Sequence, residues 1–317
     1  MNGYRAPRWL PGGQLQTIWP ALFAHRPRPR WQRQRWDTPD GDFVDVDRVD
    51  AAAADAPLLV LFHGLEGSSR SHYAGALAQA CADAGWSLAL PHFRGCSGEL
   101  NRAPRAYHSG DWVEIDWMLR RLRAAHAGPM VAAGVSLGGN ALLRWAQETG
   151  AQAARSVDAV AAVSAPLDLA AGAAAIGRGF NRLVYTRMFL RTLKPKAIAL
   201  ARRHPGLADV ARIAAARDLH AFDDAFTAPV HGFKDALDYW RRASAGPRLG
   251  EIRLPALVLN ARNDPFLPAH ALPTRASTPV TLEQPAHGGH VGFARGAPPG
   301  RIDWVPQRLL AFFSGRG

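Results

Sequence analysis

The sequence predicts an α/β protein with a mainly parallel sheet, helices on both faces, and a helical insertion between two of the later strands. Three observations carry this. Strand-like segments recur at Leu58 to His63, Ser87 to Phe93, Met130 to Gly134, Val157 to Ser164 and Pro255 to Asn260, and the continuous apolar run of the first suits a strand buried on both faces. Helix-period segments stand between most of them, the alternation that builds parallel sheets. The run Met130 to Gly134 also passes through G-V-S-L-G-G straight into helix-period Leu137, Ala141, Leu142 and Trp145, so a strand, a sharp turn and a helix meet at Ser136.

Taken in order, residues 1 to 30 are rich in Pro, Arg and Trp, with one short helix expected from Gln14 to Phe23 against the body. RWQRQRW and DFVDVDRV alternate at period two around the turn signal TPDGD, which predicts an antiparallel hairpin. Helices are expected at Tyr73 to Ala84 and Asp111 to Ala124, the second with Trp112, Ile115, Leu119 and Leu122 on one side. From about residue 168 to 250 the alternation stops, and roughly eighty residues of basic, Ala-rich helical sequence stand where a short crossover would suffice. Within them Phe180, Leu183, Val184 and Met188 form an apolar stripe beside Arg178, Arg182, Arg187 and Arg191. This insertion is expected to be a lid within a single domain, 1–317. The stripe with its cations also leaves room for peripheral contact with an anionic membrane. A strand at Thr278 to Glu283 and a helix at Trp304 to Phe313 complete the core.

Composition narrows the class. At 48% hydrophobic and 20% charged over 317 residues, the chain is ordinary globular material. Two cysteines, Cys81 and Cys96, make neither a disulfide framework nor a metal-ligand spacing, which fits a reducing compartment. The N-terminal stretch lacks the apolar run of a secretory signal, and no apolar segment is long enough to span a bilayer, so a cytoplasmic protein is expected. A formal charge of +12 raises nucleic acid as a partner. With only three lysines among 38 basic residues it reads instead as arginine-biased coding, and no nucleic-acid signature accompanies it. No H-E-x-x-H, paired C-x-x-C or G-x-x-x-x-G-K-[ST] occurs, so no metal and no cofactor is called for.

A G-x-S-x-G turn strains its serine and needs glycines where the backbone passes without β-carbons, here Gly134 and Gly138. It holds Ser136 at the carboxyl edge of the sheet and at a helix N-terminus, where free N–H groups favour an oxyanion. A serine hydroxyl becomes a useful nucleophile when an imidazole takes its proton and a carboxylate fixes the imidazole tautomer. Asp264, in LVLNARNDPFLP, follows a buried strand at the same edge, and His290, in QPAHGGHVGF, follows the next strand in a Gly-rich loop. The order Ser, Asp, His is that of α/β hydrolases. Asp168, also after a strand, competes for the acid and otherwise caps a helix; His287 competes for the base. The oxyanion donors are expected to be the backbone N–H groups of Leu65, in HGLEGSS, and Leu137.

WLPGGQLQTIWPALF, HGLEGSS, FRGCSGELN, YHSGDW, GVSLGGN, ARNDPF and GGHVGF, in this order, resemble the YheT-like branch of the α/β hydrolases, also called the AB hydrolase-4 family, from Trp9 to about Phe293. The resemblance implies a serine carboxylic ester hydrolase acting on short- to medium-chain esters, monoacylglycerols or phospholipids. It places the charge relay on Ser136, Asp264 and His290, and it leaves the role of Tyr107 to Gly110 open. An acyltransferase or perhydrolase on the same triad, and a catalytically silent binding module, are the alternative readings.

Overall fold

The computed structural model describes residues 3–315; residues 1–2 and 316–317 of the expected domain lie outside the described residues. Eight strands form one sheet: β1 (Gln32–Asp37), β2 (Phe43–Val49), β3 (Leu58–Phe62), β4 (Ser87–Pro91), β5 (Met130–Val135), β6 (Val160–Val163), β7 (Ala256–Leu259) and β8 (Val280–Glu283). Their order across the sheet is β1-β2-β4-β3-β5-β6-β7-β8. The β1–β2 and β2–β4 pairs are antiparallel and all others parallel. The expected hairpin therefore forms the antiparallel edge of a parallel sheet.

Successive residues of the central strands feed opposite layers, which is why the sequence runs are continuously apolar. Leu58, Val60 and Phe62 pack with Ile115 and Met118 of α3 (Trp112–Ala124) and Trp145 of α4 (Leu137–Thr149). Leu59 and Leu61 pack on the other side with Leu77 of α2 (His72–Asp83) and Leu309 of α12 (Trp304–Phe313). β4 stops at Pro91, short of the expected Phe93, because the Phe93 N–H turns away to donate to the imidazole of His63 at 3.0 Å. Along β2, the polar positions Asp45 and Asp47 are buried because Arg35 and Arg33 of β1 pair with them at 2.8 and 2.7 Å.

Between β6 and β7 stand α5 (Leu169–Ile176), α6 (Gly179–Asn181), α7 (Arg187–Arg203), α8 (Val210–Ala215), α9 (Leu219–Phe222), α10 (Ala228–Val230) and α11 (Ala236–Ala243). These helices pack partly on a small core of their own, which includes Leu190, Leu200, Ile213 and Phe226. A π-helical turn, Arg182–Thr186, joins α6 to α7 and changes the phase of the helical repeat. The apolar stripe read from the sequence consequently splits. Phe180, Leu183 and Met188 are 51%, 58% and 48% exposed, while Val184 packs with Tyr185 and Phe266.

Candidate active site

Ser136 stands between β5 and α4 with φ 53° and ψ −121°, the strained elbow that the G-x-S-x-G pattern calls for. Backbone crowding explains the flanking glycines. A β-carbon on Gly134 would lie 2.4 Å from the Gly138 carbonyl oxygen, and one on Gly138 would lie 2.4 Å from that of His63. The loops after β7 and β8 bring Asp264 and His290 to the same edge. Ser136 Oγ is 3.0 Å from His290 Nε2, and His290 Nδ1–H donates to Asp264 Oδ2 at 2.8 Å. The carboxylate holds the proton on Nδ1, leaving Nε2 as the acceptor facing the serine hydroxyl. The Asp264 carboxyl is fully buried, and its other oxygen accepts the Phe266 N–H at 2.8 Å. Phe266 lays its ring on the imidazole, with centroids 4.1 Å apart.

The two rivals fall elsewhere. Asp168 is exposed and caps α5, accepting the Ala171 N–H at 2.9 Å. His287 is exposed, and its Nδ1 is 3.5 Å from the Asn263 amide nitrogen.

The loop after β3 runs against the serine, since a β-carbon on Gly64 would stand 3.2 Å from that of Ser136. Its N–H groups on either side of Leu65 are occupied: Gly64 donates to Tyr73 Oη and Glu66 to Tyr107 Oη, each at 2.9 Å. Those of Leu65 and, at the first turn of α4, Leu137 have no acceptor among the described residues. Two free donors thus flank Ser136 where an oxyanion would form.

Two sets of residues that sequence reasoning left without a role hold this geometry. The first is the N-terminal helix α1 (Gly12–Phe23), which braces the histidine loop. Thr17 Oγ1 accepts the His290 N–H at 2.8 Å, and Gln16 Oε1 accepts both the Gly288 N–H and the Asn263 amide at 2.9 Å. The fit is tight enough that a β-carbon on Gly292 would fall 1.7 Å from the Gln16 carbonyl. The place of Gln16 and Thr17 within WLPGGQLQTIWPALF was the available signal.

The second set is Tyr107 to Gly110. Tyr107 Oη takes the Glu66 N–H and donates to Glu66 Oε1 at 2.9 Å, while its ring stacks on Phe93. Burial holds this phenol well above its usual value, so it stays a donor. Glu66, in the left-handed region at φ 57°, also pairs with Lys196 of α7 at 2.9 Å. Ser109 Oγ and carbonyl accept from Asn140 of α4, whose amide also reaches the Ala243 carbonyl at the end of α11. Tyr107 and Ser109 therefore tie the Leu65 loop, the elbow helix and the insertion together.

Between them lies a cavity of about 160 Å³ that reaches from Ser136 and His290 to Ile176, Phe189, Leu193 and Leu200 of the insertion. Phe189, Leu193, Ala197 and Leu200 repeat at helical spacing, so one face of α7 forms an apolar wall. No group of three or more His, Cys, Asp or Glu side chains among the described residues has a metal-binding arrangement.

A family model described as the alpha/beta hydrolase fold matches residues 57–297. The chain is 42% identical over 303 residues to YheT of Escherichia coli (strain K12), which carries an esterase name; the match covers 93% of this chain and 88% of that one. It is 28% identical to the phospholipase ABHD3 of Mus musculus over 82% of its own length, and spans 64% of the mouse protein. An esterase structure from Pyrococcus furiosus superposes with a TM-score of 0.56 at 13% identity, covering 92% of this chain and 98% of that one, a likeness of fold alone. With the family model spanning most of the chain and YheT aligned almost end to end, this chain belongs to the α/β-hydrolase family, in its YheT-like branch.

Proposed function

We propose that this hydrolase cleaves carboxylic esters through an acyl-enzyme on Ser136. The observation that carries the reading is the continuous chain from Ser136 Oγ to His290 Nε2 and from His290 Nδ1 to the buried Asp264 carboxylate. His290 takes the hydroxyl proton as Ser136 Oγ bonds to the ester carbonyl carbon, and Asp264 stabilises the imidazolium that forms. The Leu65 and Leu137 N–H groups receive the oxyanion. Collapse of the tetrahedral adduct breaks the ester C–O bond, and His290 hands its proton to the departing alkoxide. Water then repeats the sequence on the acyl-serine, with His290 as base again.

The insertion between β6 and β7 acts as the lid in this reading, and its α7 face is the acyl wall. An apolar cavity with few polar groups suits an acyl chain of short to medium length. The phospholipase name of the mouse relative agrees with a lipid-like ester. A fluorophosphonate probe with intact-mass readout, followed by p-nitrophenyl esters of increasing chain length, tests the assignment. Ser136→Ala should abolish labelling and lower turnover by about 10⁴ to 10⁶. Retention of a substantial share of either by a folded variant would remove Ser136 from the reaction.

A further inference from the structure

The basic surplus of this chain sits in two places. Residues 1–36 and 169–208 together hold fifteen of the 38 basic residues and none of the 26 acidic ones, so the remainder of the chain is net −3. Some of these cations are neutralised locally, as in the Arg33–Asp47, Arg35–Asp45 and Lys196–Glu66 pairs. Arg178, Arg182, Arg187 and Arg191 are all exposed, and none pairs with a carboxylate among the described residues. Arginines later in the insertion do find partners: Arg212 pairs with Asp224, and Arg241 with Asp238.

The same two segments carry most of the exposed large apolar side chains. Of the eight large hydrophobic residues that are exposed among the described residues, Leu15, Leu22 and Phe23 belong to α1, and Phe180, Leu183 and Met188 to the stretch entering α7. Scattered exposed leucines need no account, but six of eight on two touching segments do. The segments are joined directly, because the Gln14 amide donates to Asn181 Oδ1 at 2.6 Å and accepts from Tyr185 Oη at 2.7 Å. Ile18 packs with Tyr185 and Val184 beneath that junction. Cations and apolar groups also share the surface depressions on each side. Leu22 lines one with Arg26 and Arg28, and Leu183 lines another with Arg182, Arg187 and Arg191.

We propose that α1 and the Arg178–Arg191 segment form one docking surface for an anionic lipid bilayer, with the arginines on lipid phosphates and Leu22, Phe23, Phe180 and Leu183 entering the interface. Positive charge without local partners, interleaved with exposed apolar side chains, is the complement of such a surface. No described helix is long and apolar enough to cross a membrane, so the contact is peripheral. Met188 and Phe189 take α7 from the exposed side to the pocket side in one residue, so the helix that meets lipid also lines the cavity.

Co-sedimentation of the full-length chain with mixed phosphatidylcholine and phosphatidylglycerol vesicles, against pure phosphatidylcholine vesicles, tests the surface. The readout is binding, so it stands apart from whether Ser136 is the nucleophile. Binding is expected on the mixed vesicles, falling as salt rises because the attraction is screened over about 8 Å at physiological ionic strength. Arg182→Gln with Arg187→Gln should weaken it on the order of tenfold or more. Leu22→Gln with Phe180→Gln should weaken it by a similar factor at fixed charge. Arg155→Gln with Arg253→Gln, the same charge change among exposed residues leading into β6 and β7 at the opposite edge of the sheet, should change it less than about twofold. Three results would overturn the proposal: no binding to the mixed vesicles at low salt, equal losses for the two arginine pairs, or a dimer in solution that the Leu22 and Phe180 replacements dissociate while vesicles stay unbound. The last would make the face an interface between copies of this chain.

Discussion

The Ser136 corner and the helical insertion line the same cavity, yet they are held by different means. At the corner, backbone meets backbone. Gly64, Gly134, Gly138 and Gly292 pass neighbouring chain at distances that leave little or no room for a β-carbon, and Asp264 has no exposed side-chain surface. The insertion is held by side chains: its own small apolar core, the Asn181 contacts with Gln14 and the Pro265 carbonyl, and the Lys196–Glu66 pair. Where backbone packing sets the geometry, single atoms decide function. Where side chains set it, function depends on which face a helix turns inward.

The largest effect that could break this contrast is at the acid. Asp264→Asn should cost about 10⁴ in kcat with the fold intact, because the imidazole tautomer is no longer fixed. Asp168→Asn should leave kcat unchanged, with at most about 1 kcal/mol of stability lost at the cap of α5. Steady-state kinetics and urea melts of both variants check this, and the opposite pattern would move the acid to the insertion.

A second test asks whether the corner depends on a neutral buried imidazole. Burial lowers His63 to about 3, and its ring joins two strand ends: Nδ1–H donates to the Gly64 carbonyl at 2.8 Å, while Nε2 accepts the Phe93 N–H. Its folded value lies below its unfolded value of about 6.5, so the unfolded state binds the proton first. The stability His63 contributes is therefore present above about pH 6.5 and is lost at roughly 1.4 kcal/mol per pH unit as pH falls toward 3. Glu114 and Asp223, raised by burial to about 7 and about 6, act in the opposite sense between the usual carboxylate range and those values. The comparison must for that reason be with His63→Gln, whose stability should fall with acid by about one proton's slope less. Parallel pH profiles for the two proteins would remove His63 from the account.

On the insertion side the effect should be smaller and should appear in substrate preference. Phe189→Ala removes apolar wall and meets the corner only edge-on through Phe266, so KM for a medium-chain p-nitrophenyl ester should rise about tenfold while the acetate ester changes far less. Equal losses on both esters would mean that α7 supports the corner rather than the chain.

The smallest expected effect sharpens the role of α1. Thr17→Val removes one hydrogen bond to the His290 backbone, worth about 1 kcal/mol, and should lower kcat roughly fivefold with KM unmoved. A change in KM alone would place α1 in binding instead.

The sequence by itself determined the parallel sheet, the elbow at Ser136 and the edge at which Asp264 and His290 emerge. Each is written in local pattern: apolar runs for strands buried on both faces, glycines where the chain must pass without β-carbons, and a turn directly after a strand. The choice of Asp264 over Asp168 rested on motif and chain order, and the two carboxylates were separated in space only by the folded chain. Tertiary structure alone decided three further things. It set Gln16 and Thr17 against the histidine loop across more than 250 positions of sequence, which no local periodicity records. It gave Tyr107 its hold on Glu66, a pairing of two loops with no shared motif. It turned Phe180, Leu183 and Met188 outward and Phe189, Leu193 and Leu200 inward: at about 100° per residue the two sets lie on opposite sides of the helix, both apolar, and only packing against the body decides which side is buried.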